Sequence, residues 1–166
     1  MGVIFDTSVL ITLERQSRAI ERLVAGRENE PFGISVITAS ELLHGVHRAD
    51  SDKRRLMRGA FVEKIIQTFP LYPFDVNAAR VYANLWSTLA KKGVTIGAHD
   101  LMIASTAIAL GFSVITSDVR DYSKLKEVTV EKFASRKALL GYHLLCSMKQ
   151  NVKAAVSAKE TALTAR

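Results

Sequence analysis

The chain has 166 residues, 48% of them apolar and 23% charged, which suits one soluble globular domain with a full core. Its single cysteine, Cys146, excludes an intrachain disulfide and a cysteine-based zinc site, as expected for a protein of the reducing cytoplasm. The formal charge of +7 suggests a polyanionic partner. The first apolar run follows no basic lead and is broken by Asp6, so we expect neither a signal peptide nor a membrane span.

The first predicted strand lies in residues 2–11, an apolar run interrupted by Asp6, Thr7 and Ser8. The Val, Ile and Phe residues before Asp6 are typical of a buried strand, and the polar residues after it predict a turn into a helix over 9–24. Asp6 is thereby placed at the carboxyl end of a strand, the edge where open α/β sheets bind ligands. A single aspartate at this position is also explained as a helix N-cap, so both interpretations stay open.

A second strand is predicted over residues 34–37, after Pro31 and Gly33, and Thr38 begins the next helix. Glu41 then occupies another junction between a strand and a helix. Thr38 and Glu41 also match the capping box, in which two side chains satisfy the first backbone N–H groups of a helix. The sequence alone leaves Glu41 divided between that structural role and a functional one.

Residues 48–58 form a polar turn with five basic side chains, and a helix follows them. A solvated helix end is the default interpretation of such a run. A patch that contacts phosphate groups is the alternative.

A short strand over 70–74 and a helix over 76–92 come next, with Asp75 in the position of an N-cap. Tyr82 and Trp86 lie on the apolar side of that helix. We therefore expect these two rings in the core rather than in a platform that stacks on bases.

The following helix, over residues 96–111, is apolar on nearly all sides and is predicted to be buried. Asp100 lies in its first turn, where the helix dipole favours a negative charge but need not offset the loss of hydration. His99 has no partner at metal-ligand spacing, so we assign it to the surface or to packing. A strand over 112–115 is followed by Thr116, Ser117 and then Asp118, a fourth acid just beyond the end of a strand.

The character of the chain changes near residue 134, after an edge strand predicted over 127–130. Residues 1–133 carry a net charge of +2, whereas residues 134–166 carry +5. Apolar residues four apart predict a basic, helical and partly disordered tail that adds phosphate contacts or an assembly surface. This stripe comprises Leu140, Leu144, Met148 and Val152.

Four acids are predicted to meet, because the junctions after parallel strands lie on one edge of a sheet. They are Asp6, Glu41, Asp100 and Asp118. Helix capping requires no such convergence, and clustered carboxylates repel each other unless cations or protons neutralise them. Ligands that are all oxygen favour the hard ions Mg²⁺ and Mn²⁺, which activate water for the hydrolysis of phosphodiesters.

Four blocks of the sequence resemble the motifs of a known family. They are Phe5-Asp6-Thr7-Ser8 and residues 35–42, 99–104 and 116–122. In this order and at these separations they resemble the motifs of PIN-domain ribonucleases over roughly residues 2–131, and in particular the VapC-type toxins of toxin–antitoxin systems.

The resemblance implies a three-layer α/β/α sandwich with a mostly parallel central sheet, formed by a nuclease domain over residues 1–133. It also implies an endoribonuclease that depends on Mg²⁺ or Mn²⁺ and acts on RNA, a homodimer, and a cognate antitoxin as partner. A non-catalytic RNA-binding or assembly module with the same fold is the alternative.

The resemblance also implies roles for individual residues. The metal-binding and catalytic acids would be Asp6, Glu41, Asp100 and Asp118, and the supporting hydroxyls would belong to Ser8 and Thr116. Family members often have Asn where Ser8 stands. They have Asn or Asp at the position of Asp118, so either Asp118 or Asp121 could be the fourth metal-binding acid.

Overall fold

A parallel five-stranded sheet forms the centre of the computed structural model, which describes residues 1–16, 23, 26–27 and 29–133. The strands lie in the order β3-β2-β1-β4-β5, and every neighbouring pair is parallel, in agreement with the predicted sheet. Their bounds are β1 Val3–Phe5, β2 Phe32–Ser35, β3 Leu71–Tyr72, β4 Ser113–Thr116 and β5 Val130–Lys132. Because β1 is the middle strand, the residue after Phe5 lies at the centre of the carboxyl edge.

The described residues form six α-helices, and one or two of them lie between each strand and the next, as the crossover connections of a parallel sheet require. Their bounds are α1 Thr7–Arg15, α2 Val36–His47, α3 Asp52–Thr68, α4 Val76–Lys91, α5 Ala98–Leu110 and α6 Val119–Tyr122. Three of them begin within three residues of the end of a strand: α1 after β1, α2 after β2 and α6 after β4. The amino-terminal ends of these helices therefore lie at the carboxyl edge of the sheet.

Helices cover both faces of the sheet, as the predicted three-layer sandwich requires. All three residues of β1 are at most 1% exposed. Ile4 packs with Leu89 of α4 and Leu101 of α5, whereas the Phe5 ring meets the Phe69 ring, just after α3, at a centroid distance of 5.8 Å. Successive side chains of a strand point to opposite faces, so these contacts belong to two separate layers.

The boundary between β2 and α2 differs from the prediction. β2 ends at Ser35, which is the N-cap of α2 and accepts a hydrogen bond from the Ile37 N–H at 3.2 Å. The strand predicted over 34–37 therefore exists, but it ends two residues earlier than predicted. Thr38 is fully buried inside the helix, so the capping box of Thr38 with Glu41 is wrong. The two β-branched residues after Ser35 favour a strand locally, but the serine cap and the burial of Thr38 outweigh that preference.

Other element limits shift by a few residues. α3 begins at Asp52, so most of the basic run over 48–58 is helix rather than turn. β5 spans Val130–Lys132 instead of 127–130, and β3 is shorter than the predicted strand over 70–74. These strands lie at the two edges of the sheet, where pairing on one side only leaves the limits weakly specified.

The start of α4 is as predicted, but its buried face is not. The Asp75 carboxylate accepts hydrogen bonds from the N–H groups of Asn77 and Ala78 at 3.0 and 2.9 Å, which confirms the N-cap. Trp86 is 61% exposed, so its expected place in the core is wrong. The helix buries a neighbouring stripe instead, comprising Ala78, Leu85 and Leu89, with Tyr82 partly buried beside it.

Two predicted segments lie partly or wholly outside the described residues. The helix predicted over 9–24 is described only as α1, and most of its second half is not described. The described residues belong to one compact unit, while the helical tail over 134–166 and the domain limit before it lie outside them and stay predictions. Within the described part of the chain, no helix combines the length and the apolar character needed to cross a membrane.

Candidate active site

Five carboxylates line one cavity of about 250 Å³ at the carboxyl edge of the sheet. We call it the acidic cavity, and its acids are Asp6, Glu41, Asp100, Asp118 and Asp121. Asp6 follows β1 and Asp118 follows β4, the neighbouring strand, while α2 and α5 supply the other two predicted acids. The fold therefore brings all four predicted acids to one place, with Asp121 among them.

Asp6 lies at the centre of the acidic cavity, where three hydroxyl groups hold its carboxylate. Its Oδ2 accepts hydrogen bonds from Ser8 Oγ at 2.5 Å and from Thr116 Oγ1 at 2.9 Å, and its Oδ1 accepts one from Tyr122 Oη at 2.9 Å. Asp6 also caps α1 by accepting the Ser8 N–H at 3.3 Å. With only 4% of the residue exposed, the carboxylate has a set orientation and combines the cap with the site.

Tyr122 provides a contact that the motifs did not predict. Burial, and then the charges of Asp6 and Asp100, raise the pKa of its hydroxyl, so the neutral phenol donates its proton to the bond with Asp6. The sequence offered one signal for this contact, which is the position of Tyr122 four residues after Asp118 in α6. At that spacing, a helical side chain points back toward the start of the helix. That spacing does not reveal which remote carboxylate the hydroxyl meets.

Glu41 reaches the acidic cavity from α2 and is oriented by two other helices. Its Oε2 accepts a hydrogen bond from Thr7 Oγ1 of α1, and its Oε1 lies 2.9 Å from Nδ1 of His99 on α5. His99 is exposed, as expected, but it also contacts this acid. Among the described residues, the buried hydroxyl of Thr38 has no hydrogen-bond partner, so the two residues of the predicted capping box are not joined.

Asp100 is half-buried in the first turn of α5, among like charges. Burial, and then repulsion from the charges of Asp6 and Glu41, raise its pKa from 3.8 to about 6. In the described part of the chain, its carboxylate forms no ion pair and accepts no hydrogen bond. The helix dipole therefore does not offset the cost of this charge, and the residue does not behave as a helix cap.

The two candidates for a fourth acid both have partners of their own. Asp118 is exposed and caps α6, accepting the Arg120 N–H at 3.1 Å. Asp121 accepts a hydrogen bond from Lys124 Nζ at 2.6 Å, and this bond lowers the pKa of Asp121. Both line the acidic cavity, so the choice between them stays a prediction.

The chemistry of this donor set suits a hard divalent cation. The raised pKa of Asp100 indicates that its negative charge is not compensated, and no described Lys, Arg or His lines the acidic cavity. As they stand, the described residues contain no group of three or more His, Cys, Asp or Glu side chains spaced to hold an ion directly. Mg²⁺ keeps several of its waters and commonly uses only one or two carboxylates, so this spacing suits a partly hydrated ion.

Known proteins match nearly the whole described part of the chain. Residues 3–128 match the PIN domain family. The chain is 35% identical to Ribonuclease VapC1 of Rickettsia felis over 139 aligned residues. The alignment covers 82% of this chain and 99% of that protein.

Two solved structures of VapBC proteins are similar in fold. The DNA-bound VapBC of Salmonella typhimurium has a TM-score of 0.71 and 26% identity, over 81% of this chain and 99% of that one. VapBC-5 of Mycobacterium tuberculosis, a member of the VapBC family of toxin-antitoxin systems, has a TM-score of 0.62 and 31% identity, over 80% of this chain and 97% of that one.

The family match includes all five acids of the acidic cavity and four of the five strands completely. It therefore rests on the same residues that form the sheet and the candidate site. The chain belongs to the PIN domain family, in its VapC ribonuclease branch.

Proposed function

We propose that the chain is an endoribonuclease that hydrolyses RNA phosphodiester bonds with the help of Mg²⁺ or Mn²⁺, and that it is the toxin of a toxin–antitoxin pair. The acidic cavity carries this proposal, because a set of helix caps need not converge and would not leave Asp100 half-buried among like charges. Similarity to ribonucleases of the VapC type supports the substrate class.

The chain's own residues prepare the acidic cavity before any ion is bound. The acids that would hold the ion are Asp6, Glu41, Asp100 and Asp118. We choose Asp118 over Asp121 because Lys124 already neutralises Asp121. When bound, Mg²⁺ supplies a Lewis acid that offsets phosphate charge and makes water more acidic.

Water is the nucleophile that this cavity offers. The described hydroxyls that line it, on Thr7, Ser8 and Tyr122, all donate to carboxylates, so none of them is placed to attack a phosphate. Attack by water on phosphorus, with departure of the 3′ oxygen, leaves one product with a 5′-phosphate and the other with a 3′-hydroxyl.

Cleavage of single-stranded or loop RNA by the purified full chain tests the proposal. We expect cutting with Mg²⁺ or Mn²⁺, none with EDTA, and 5′-phosphate and 3′-hydroxyl ends. Equal cutting in EDTA, or products with 2′,3′-cyclic phosphate, would contradict the use of a metal and water. RNA that binds but is never cut with either ion would identify the chain as a non-catalytic RNA-binding module.

We further infer a cognate antitoxin, which the similarity to VapBC proteins supports, and a homodimer, which the resemblance to VapC-type toxins implies. A small reading frame beside the gene would encode the antitoxin. Co-expression of the two should give a stable complex in which RNA cleavage is inhibited. Light scattering of the free chain would measure the dimer, and a monomeric mass at all concentrations would refute it.

A further inference from the structure

A second cavity adjoins the acidic cavity and has the opposite chemistry. Its volume is about 530 Å³, and it shares Thr7, Ile11 and Glu41 with the acidic cavity. We call it the basic cavity, and its remaining described lining comes from Ser40, His44, Gly45, Arg48, Arg58 and His99. Two arginines and two histidines thus face one acid here, whereas the acidic cavity is lined by five acids and no described basic residue.

The arginines of the basic run over 48–58 fall into two groups, according to whether they line the basic cavity. Arg54 pairs with Asp50, just before α3, at 2.5 Å, and Arg55 pairs with Asp52, the first residue of α3, at 3.4 Å. Both arginines remain on the surface. Arg48 and Arg58 line the basic cavity instead. The solvated helix end therefore describes Arg54 and Arg55, while the phosphate-contacting alternative stays open for Arg48 and Arg58.

The two arginines differ in how they are held. Arg58 donates from Nε to Glu14 Oε1 at 2.9 Å and from Nη1 to the Gly45 carbonyl at 3.0 Å, so its guanidinium has a set orientation. Arg48 is exposed at the C-cap of α2, and within the described residues its guanidinium has no partner. Its charge is thus available to a ligand, and replacing its side chain breaks no described contact.

We propose that the basic cavity binds the phosphodiester backbone next to the bond that is cleaved, with Arg48 as the main contact. This inference rests on the proposed ribonuclease function. RNA has a negative charge at every nucleotide, so a strand with one phosphate at the acidic cavity brings the next phosphate close to repelling carboxylates. The Arg48 guanidinium, in the cavity that shares Glu41 with the acidic cavity, receives that phosphate through paired N–H groups.

Salt-dependent binding of a short labelled single-stranded RNA in EDTA tests the inference without cleavage. Arg48→Gln should raise Kd about tenfold and flatten the slope of log Kd against log salt by about one unit. Arg48→Lys keeps the charge and should keep the slope. Arg54→Gln is the matched control, because Arg54 is a nearby surface arginine that does not line the basic cavity, and it should change neither quantity.

Cleavage kinetics with Mg²⁺ separate binding from chemistry. Arg48→Gln should raise KM about tenfold and change kcat by less than about twofold, since Arg48 lies outside the acidic cavity. If wild type cuts RNA but Arg48→Gln and Arg54→Gln give the same slope and KM, this inference is wrong while the proposed function stands. If wild type neither binds nor cuts RNA, both the inference and the proposed function are wrong.

Binding of a poly-glutamate peptide tests the alternative occupant. If Arg48→Gln affects binding of this peptide and not of RNA, the basic cavity is a site for an acidic protein segment and not for RNA.

Discussion

Aspartates line both the inner and the outer wall of the acidic cavity, but the pKa of an aspartate is raised on the inner wall and lowered on the outer wall. The inner wall consists of Asp6 and Asp100, and the outer wall consists of Asp118 and Asp121 around α6. Burial and neighbouring charges raise the pKa of Asp100 to about 6. On the outer wall, the hydrogen bond from Lys124 lowers the pKa of Asp121.

This difference in pKa has its cause in the partners of the carboxylates on each wall. The inner wall has hydroxyl donors for Asp6 but no basic residue, so its charge stays unfavourable until a proton or a cation arrives. The outer wall is more exposed, and its Asp121 pairs with the ammonium group of Lys124, which does not itself line the cavity. A cation should therefore change the energy of the inner wall more than that of the outer wall, and variants of the two walls should respond differently to Mg²⁺ and to pH.

The largest expected effect concerns cleavage by inner-wall variants. Asp6→Asn and Asp100→Asn should each reduce Mg²⁺-dependent cleavage of RNA by more than about a hundredfold, because each removes a charge that would hold the ion. Asp75→Asn changes an N-cap carboxylate outside the cavity, and asparagine caps well, so this control should keep its activity. Initial rates on labelled RNA measure all three. If both inner-wall variants cleave RNA at the wild-type rate, Asp6 and Asp100 do not belong to the catalytic site.

The next effect is the stabilisation of the folded chain by Mg²⁺. At about one hundred times Kd, the ion should stabilise wild type by about 2.7 kcal/mol, because it binds the native state. Asp100→Asn should lose most of this gain, and Asp121→Asn, on the outer wall, should keep most of it. Thermal unfolding with EDTA and with Mg²⁺ gives the shift in melting temperature of wild type and of each variant. An equal loss in both variants would mean that the walls act as one unit.

A smaller effect is the pH dependence of metal-free stability. The folded-state pKa of Asp100, about 6, lies above its unfolded value of 3.8, so the fold loses stability as pH rises from about 4 to about 6. After allowance for solvent screening, the loss is about 1–2 kcal/mol, or roughly 2–8 °C in melting temperature. Asp100→Asn should lack this loss and melt above wild type at pH 7 in EDTA. A variant that melts lower at pH 7 would instead support the helix-cap interpretation of Asp100.

The smallest effect belongs to the outer wall and has the opposite sign with pH. The lowered pKa of Asp121 gives stability that is present above the unfolded value of 3.8 and lost as pH falls below it. Lys124→Met should cost more at pH 7 than at about pH 3, by less than about 1 kcal/mol, because the pair is partly exposed. The bond from Lys124 Nζ to the Thr95 carbonyl is lost in the variant at both pH values, so it does not contribute to this difference. Urea midpoints at both pH values measure this, with Lys126→Met as the control. A larger cost at the lower pH would contradict the assigned pairing.

Local sequence signals predicted elements well where several of them agreed. The start of α4 has an N-cap aspartate and an apolar stripe, and the structure begins it at the residue after Asp75, as expected. At the end of β2, β-branched residues favoured a strand while Ser35 favoured a helix start, and periodicity alone did not show which preference wins. The exposure of Trp86 was missed because neighbouring stripes of α4 are both apolar, and only packing against α5 selects one.

The sequence by itself determined which acids could meet, since residues after parallel strands share one edge of the sheet whatever their separation along the chain. Only the tertiary structure decided what happens to them there. The bond from Tyr122 to Asp6, the contact of His99 with Glu41 and the raised pKa of Asp100 each join residues from different elements. Periodicity reports which side of an element is buried, whereas the energy of a charge depends on distances to groups that are remote in the sequence and on the water excluded around it.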